Sequence, residues 1–243
     1  VDHISDVNMC YSEHARRYLA ECGLPKERTF VTGSPMAEVL SAHLKQIDAS
    51  KILSKLGLKK RGYILLSAHR EENIDDEKNF TSLFTAINEM AEKYNLPVLY
   101  SCHPRSRKRL DASGFKLDKR VIRHEPLGFF DYNHLQSNAF AVVSDSGTLP
   151  EESSFFTSVG RSFPAVCIRT STERPEAVDK GCFIIAGIDK NSLPGAVQLA
   201  VEMNEAGDYG VPVPDYADLN VSGKVVKIIR SYTGIVDKFV WRK

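Results

Sequence analysis

A parallel, doubly wound α/β sheet is predicted for this 243-residue chain by three observations. Four apolar segments of strand length recur between residues 63 and 169, helical-period stretches or loops separate them, and each segment ends in a cluster of polar side chains.

Taken in order, DVNMCY (6–11) reads as a strand, and Ser12 as the N-cap of a helix from Glu13 to Cys22 that stops at Gly23. Thr29 to Thr32 is a second short strand, ending in the turn or hinge signal Gly33-Ser34-Pro35. Residues 1–36 therefore read as the tail of one α/β domain. Because the text opens in mid-phrase on Val1, an upstream segment is expected to be missing.

The main domain is placed at 37–220. YILLSAH (63–69) is its first buried strand, and Phe80, Leu83, Phe84, Ile87, Met90, Ala91 and Tyr94 follow at helical spacing. LPVLYSCHP (96–104), AFAVVSDSG (139–147) and FPAVCIR (163–169) are the next strands. Residues 208–220, with two prolines and little periodicity, read as a linker. The apolar face running from Val225 to Val240 within 221–243 reads as a packing helix, with a crossing back to the first domain as the alternative.

Composition narrows the class. With 42% apolar and 26% charged residues the chain has material for a sizeable core, which excludes disordered and fibrous proteins. A formal charge of +1 supplies no overall field toward nucleic acid or an anionic membrane, so any bound anion is held locally. No apolar run approaches the roughly 18–20 residues of a spanning helix and no signal-peptide pattern opens the chain, so a cytoplasmic protein is expected. Cys10, Cys22, Cys102, Cys167 and Cys182 are scattered without ligand spacing, which predicts reduced thiols and no metal site.

The chemistry is expected at the carboxyl ends of the strands, where open α/β sheets bind ligands. In SDSGTLPEES (144–153) a strand runs into Ser146-Gly147, and Pro150 opens a helix whose free N–H groups and dipole suit a phosphate. Glu152, about one turn on, can accept both hydroxyls of a ribose; an ordinary turn and helix cap is the bland alternative. In STERPEA (171–177) Pro175 again opens a helix and Arg174 stands before it, either as a fork for phosphate oxygens or as a plain surface arginine. GFFDY (128–132) offers loop aromatics for stacking or packing. His69 and His103 share strand-end positions, as site residues or as core histidines capped by backbone.

These motifs, with DHISD (2–6), YSEHARRYL (11–19), VTGSPMAEVL (31–40), SAHREEN (67–73), HPR (103–105) and TERPEA (172–177), resemble the non-hydrolysing UDP-N-acetylglucosamine 2-epimerase family nearly from end to end. The resemblance implies a glycosyltransferase-B-like fold of two Rossmann-like domains: here one nearly complete C-terminal domain and a remnant of the N-terminal one, with the nucleotide between them. It also implies that Ser146 and Gly147 bind the diphosphate of a UDP-N-acetylhexosamine, Glu152 its ribose and Arg174 the phosphate side. His103 would lie in the UDP site, Tyr132 would stack near uracil, and His69 would be the catalytic histidine of an HRxEN-like motif. Arg70 and Glu72 fall where some members build a second, regulatory UDP-sugar site. No cofactor is implied, and a homodimer is.

The family's proposed acid/base carboxylates lie upstream of DHISD, so the chain as given is expected to bind nucleotide weakly and to catalyse nothing. TLPEE stands where better-known members carry Gly-Ile-Gln-Glu-Glu, and with REENID (70–75) and IRTSTERPE (168–176) it resembles the branch that forms UDP-N-acetyl-L-fucosamine from the L-talo epimer. The alternatives are UDP-N-acetylglucosamine 2-epimerase proper, a glycosyltransferase of the same fold, and a non-catalytic UDP-sugar-binding fragment.

Overall fold

The strands are short and almost wholly apolar because helices cover both faces of their sheet, leaving no solvent side for polar residues. The computed structural model describes residues Val1–Lys243. A small unit comes first: β1 (Asn8–Cys10), α1 (Glu13–Glu21) and β2 (Thr29–Val31), with β1 and β2 paired in parallel. Ser12 caps α1 as its sequence predicts, accepting from Ala15 N at 3.2 Å.

The main body follows with α2 (Met36–Asp48), α3 (Ile52–Lys55), β3 (Ile64–Ser67), α4 (Glu71–Ile74), α5 (Glu77–Tyr94), β4 (Val98–Ser101) and α6 (Pro104–Ser113). It continues through β5 (Val121–His124), α7 (Phe129–Asn138), β6 (Ala141–Ser144), α8 (Leu149–Ser158), β7 (Ala165–Cys167), α9 (Pro175–Asp179), β8 (Ile184–Ile185) and α10 (Leu193–Glu205). All neighbours are parallel in the order β5-β4-β3-β6-β7-β8, which is the Rossmann order with its reversal between β3 and β6. Alternation along each strand splits the core in two. Ile64 and Leu66 face Phe84, Ile87 and the α10 residues Leu193 and Val197, whereas Leu65 faces Leu40, Leu135 and Phe156 of α2, α7 and α8.

Two edge strands, β5 and β8, were not predicted. In β5 only Val121 is buried while Ile122 and Arg123 are exposed, and β8 is two residues long, so neither carries the apolar run by which a central strand is read.

Residues 208–220 are not a loose linker. Val213 and Tyr216 are buried, Val213 N donates to Ser154 Oγ (2.9 Å), Tyr216 Oη to Glu176 (2.5 Å), and Asp215 Oδ2 accepts from Glu13 N (2.9 Å). Scattered contacts to side chains and to distant backbone, such as Val211 N donating to Lys180 O (2.8 Å), satisfy this segment instead of a regular ladder, which is why no periodicity marks it. Gly210 shows how tightly the strap is laid down. Its φ is +77°, and a β-carbon there would stand 2.5 Å from the Gly181 carbonyl oxygen. Gly210→Ala is expected to lower unfolding free energy by about 2–4 kcal/mol, measured by urea denaturation.

The last helix, α11 (Val221–Phe239), lies against the small unit: Tyr232 Oη donates to Glu27 O (2.9 Å), its ring meets Phe30 at 4.7 Å, and Trp241 Nε1 donates to Asp6 (3.1 Å). Much of its apolar face, including Val226, Ile229 and Phe239, is exposed.

Candidate active site

Where β3 and β6 run side by side, their following loops leave toward opposite faces of the sheet and open a crevice at their carboxyl ends. The crevice is organised by Asp145, the first residue after β6, which is wholly buried. A buried carboxylate persists only with donors around it. Here Oδ2 accepts from His69 N and Arg70 N, both at 2.9 Å, and from Asn73 Nδ2 at 3.2 Å. Asn73 is itself buried and also donates to Ile168 O (3.0 Å), tying in the end of β7.

The other oxygen, Oδ1, lies 3.1 Å from His69 Nδ1. Oδ1 accepts no hydrogen bond, so one side of the half-exposed ring meets an unpartnered buried carboxylate oxygen at ion-pair distance, and Nε2 is the ring nitrogen with no protein partner. Sequence reasoning named His69 but not Asp145. The missed signal was an aspartate directly after a buried strand, at a place where a charge needs a reason.

Beyond Asp145 the chain turns into α8. Ser146 N donates to Ser144 Oγ (3.0 Å) and Thr148 N to Ser146 Oγ (3.3 Å), while Gly147 N has no protein acceptor. A hydroxyl chain continues from Ser146 Oγ to Thr148 Oγ1 (2.9 Å) and on to Glu152 Oε1 (3.0 Å). A β-carbon on Gly147 would meet nothing but the end of the Arg70 side chain at 3.3 Å, so the guanidinium of Arg70 overhangs this turn. Arg70 was expected in a separate regulatory site; the structure places it against Gly147, beside the expected diphosphate.

Glu152 is buried, and burial pushes its carboxyl up to about 7, against the lowering effect of Thr148. Between about pH 4.5 and 7 the folded chain therefore holds a proton the unfolded chain has released. Stability falls as pH rises through that window and is level above it, by at most about 3 kcal/mol at 1.36 kcal/mol per unit. Glu152→Gln is expected to flatten the stability profile between pH 5 and 7, measured by urea denaturation at successive pH values.

Arg174 stands directly before the five-residue α9. Its guanidinium is already engaged: Nε donates to the buried carboxylate of Glu151 (3.2 Å), Nη1 to Glu173 O (3.2 Å), and the group lies 5.2 Å from the centre of the Tyr11 ring. A cleft of about 540 Å³ opens there between α1 and residues 172–176. Glu72, the other residue expected in a regulatory site, lies 3.4 Å from Arg169 Nε. Arg169 is buried and grips Glu173 with both terminal nitrogens (2.6 and 2.7 Å), holding that carboxyl down at about 2. Glu72, Arg169 and Glu173 thus fasten the loop after β7 to the loop after β3. Arg169 too was passed over as a site residue.

Two expectations are displaced. GFFDY is not a loop, since Phe129 opens α7 and Tyr132 sits in its first turn, half-buried against the core on the α2 and α8 side. Burial raises its phenol well above the ordinary range. The exposed rings of this stretch are Phe129 and Phe130, grouped with His43. His103 stands one strand further out, where Nδ1 accepts from Arg105 N (3.3 Å) as the cap of α6, and it makes no hydrogen bond to the Asp145 cluster.

With this arrangement in view, comparison with known proteins is decisive at the level of family. The sequence profile described as UDP-N-acetylglucosamine 2-epimerase matches residues 1–230. The chain belongs to the UDP-N-acetylglucosamine 2-epimerase family. It is 30% identical over 212 residues to the UDP-N-acetylglucosamine 2-epimerase of Methanococcus maripaludis, covering 84% of this chain and 56% of that protein. The solved UDP-N-acetylglucosamine 2-epimerase of Rickettsia bellii superposes with a TM-score of 0.90 at 39% identity, covering 100% of this chain and 64% of that one. The Methanocaldococcus jannaschii enzyme, solved in complex with UDP-GlcNAc and UDP, superposes with a TM-score of 0.82 at 27% identity, over 95% of this chain and 62% of that one. The chain thus spans between about half and two thirds of the length of these family members.

Proposed function

We propose that this chain forms the nucleotide-binding part of a UDP-N-acetylhexosamine 2-epimerase, which inverts C2 by eliminating UDP and adding it back. The observation that carries the reading is the convergence, at the β3/β6 crevice, of an Asp145-held His69, an overhanging Arg70 and the open turn Ser146-Gly147 that starts a ten-residue helix. A diphosphate at this turn receives the Gly147 N–H, the Ser146 hydroxyl and the dipole of α8, with the Arg70 guanidinium overhanging it and Arg174 anchored to the first turn of α8 through Glu151.

The C2 proton of a 2-acetamido sugar is not acidic enough for direct removal. In the proposed route the C1–O bond breaks with its electron pair leaving on the β-phosphate, and the C2 proton passes to a base. The resulting 2-acetamidoglucal is then protonated at C2 from the other face while UDP oxygen re-forms the bond to C1. The groups around Ser146 act where charge develops on the leaving group, which is where stabilisation lowers the barrier. His69, fixed by Asp145, is the proton-handling or phosphate-binding imidazole of this site. Glu152 accepts the ribose hydroxyls once ionised, so UDP affinity is expected to rise between pH 6 and 7.5 and Glu152→Gln to abolish the rise. The TLPEE, REENID and IRTSTERPE segments favour the L-fucosamine-forming branch for the hexose.

The test is calorimetric titration with UDP of the chain and of Gly147→Ala, whose β-carbon meets only the flexible end of Arg70. Binding lost in the variant places the diphosphate at this turn, and a folded chain indifferent to UDP would sink the reading. For the reaction itself, the protein extended to the relatives' length should introduce deuterium at C2 of UDP-N-acetylhexosamine in heavy water.

A further inference from the structure

At the other end of the sheet, where β3, β6 and β7 begin, lies a cavity of about 550 Å³ with no apolar residue in its lining. Lys60 and Arg61 enter it ahead of β3, His134 and Asn138 ahead of β6, and Arg161 and Ser162 ahead of β7. Its only carboxylate is Asp48, held by both terminal nitrogens of Arg161 at 2.7 and 2.9 Å.

Arg61 is different. Its terminal nitrogens donate to Ala139 O (2.5 Å) and Ser162 O (2.8 Å), which satisfy hydrogen bonds but bring no negative charge, and no carboxylate pairs with it. Burial presses its guanidinium below the ordinary value, with only the phenols of Tyr209 and Tyr63 opposing. Its backbone also sits at φ +58°, the left-handed region that a non-glycine residue occupies only when its surroundings impose it. Lys60, exposed and without an ion-pair partner, adds a further charge, so three cations face one anion around a polar hollow. His134 Nδ1 pairs with Ile47 O (2.8 Å), leaving Nε2 uncommitted.

We propose that this cavity is a second anion site, on the opposite end of the sheet from the nucleotide crevice, which takes the phosphate group of a small phosphorylated molecule. The volume is that of a ligand pocket and exceeds the need of one tetrahedral oxyanion. Phosphate oxygens supply the negative charge that carbonyls cannot give to Arg61, with Lys60 closing over them.

The site is tested by titrating the chain with inorganic phosphate and with pyrophosphate while following backbone amides by two-dimensional NMR. Saturating shifts are expected at residues 60–62 and 160–162, separate from those at 146–148 that report the other site. Lys60→Glu should weaken binding about tenfold, and Asp48→Asn, which frees Arg161, should tighten it about threefold. Both residues are exposed, so both variants keep the fold. Pyrophosphate binding tighter than phosphate assigns a phosphorylated metabolite, and equal binding assigns free phosphate. Shifts confined to 146–148, shifts that never saturate, or affinity unmoved by both variants overturn the proposal, and none of these outcomes counts against UDP at the crevice.

Discussion

Asp145→Ala is expected to lower unfolding free energy by about 3–5 kcal/mol, seen as a shift of the urea midpoint with little change in slope. The substitution removes one buried carboxylate but strands several donors, since His69 N, Arg70 N and Asn73 Nδ2 all meet the same oxygen. Each unpaired donor loses a partner that water cannot easily replace. Asp145→Asn separates stability from imidazole control. Its carbonyl still accepts from the two backbone N–H groups, but its amide nitrogen turns toward His69 Nδ1, which must then be an acceptor. In that variant the His69 proton is expected on Nε2, and in the parent chain on Nδ1 facing Oδ1, a difference visible in the nitrogen chemical shifts of the ring. An unchanged tautomer would mean that Asp145 does not set it.

The second large effect is expected at Arg174, and it has two parts. Glu151 is buried, with Ser34 Oγ on one oxygen (2.5 Å) and Arg174 Nε on the other (3.2 Å). Arg174→Ala leaves a carboxylate in a low-dielectric setting without its counter-charge, at about 2–4 kcal/mol, and also removes a phosphate ligand from the proposed nucleotide site. The double variant Glu151→Gln/Arg174→Ala tells the parts apart. Stability should largely return, because an uncharged amide no longer needs the guanidinium, while UDP affinity stays low. If affinity returned along with stability, Arg174 would act only by holding Glu151.

Much of the fold was legible because central parallel strands are short, continuous apolar runs followed by polar residues, and β3, β4, β6 and β7 each have that form. The residues near those ends were legible for the same reason: His69, Ser146 and Gly147 come within about three residues of their strands, and Arg174 ends the loop that follows β7. What escaped depended on contacts between distant segments. Asp145 and Arg169 read as ordinary polar residues until the fold brings three donors to the first and Glu72 with Glu173 to the second. Tyr132 was placed in a loop, whereas Gly128 is the cap from which α7 starts and Tyr132 lies in the first turn of that helix. The strap at 208–220 has no periodicity to read, since its order comes from Ser154, Glu176 and Gly33 elsewhere in the chain.

The passage at Gly33-Ser34 carries one more implication. Gly33 is pressed so closely on the Asp215 carbonyl that a β-carbon would stand 2.8 Å away, and Ser34 N bonds to that same oxygen at 3.1 Å. The two segments that join the small unit to the main body are thereby pinned to each other, as two leaves of a hinge share one pin. The pin also touches the working parts, because Ser34 Oγ holds Glu151, the neighbour of Glu152, at the start of α8. Ser34 thus ties the segment that leaves the small unit both to the strap before the last helix and to the first turn of the helix at the proposed ligand site.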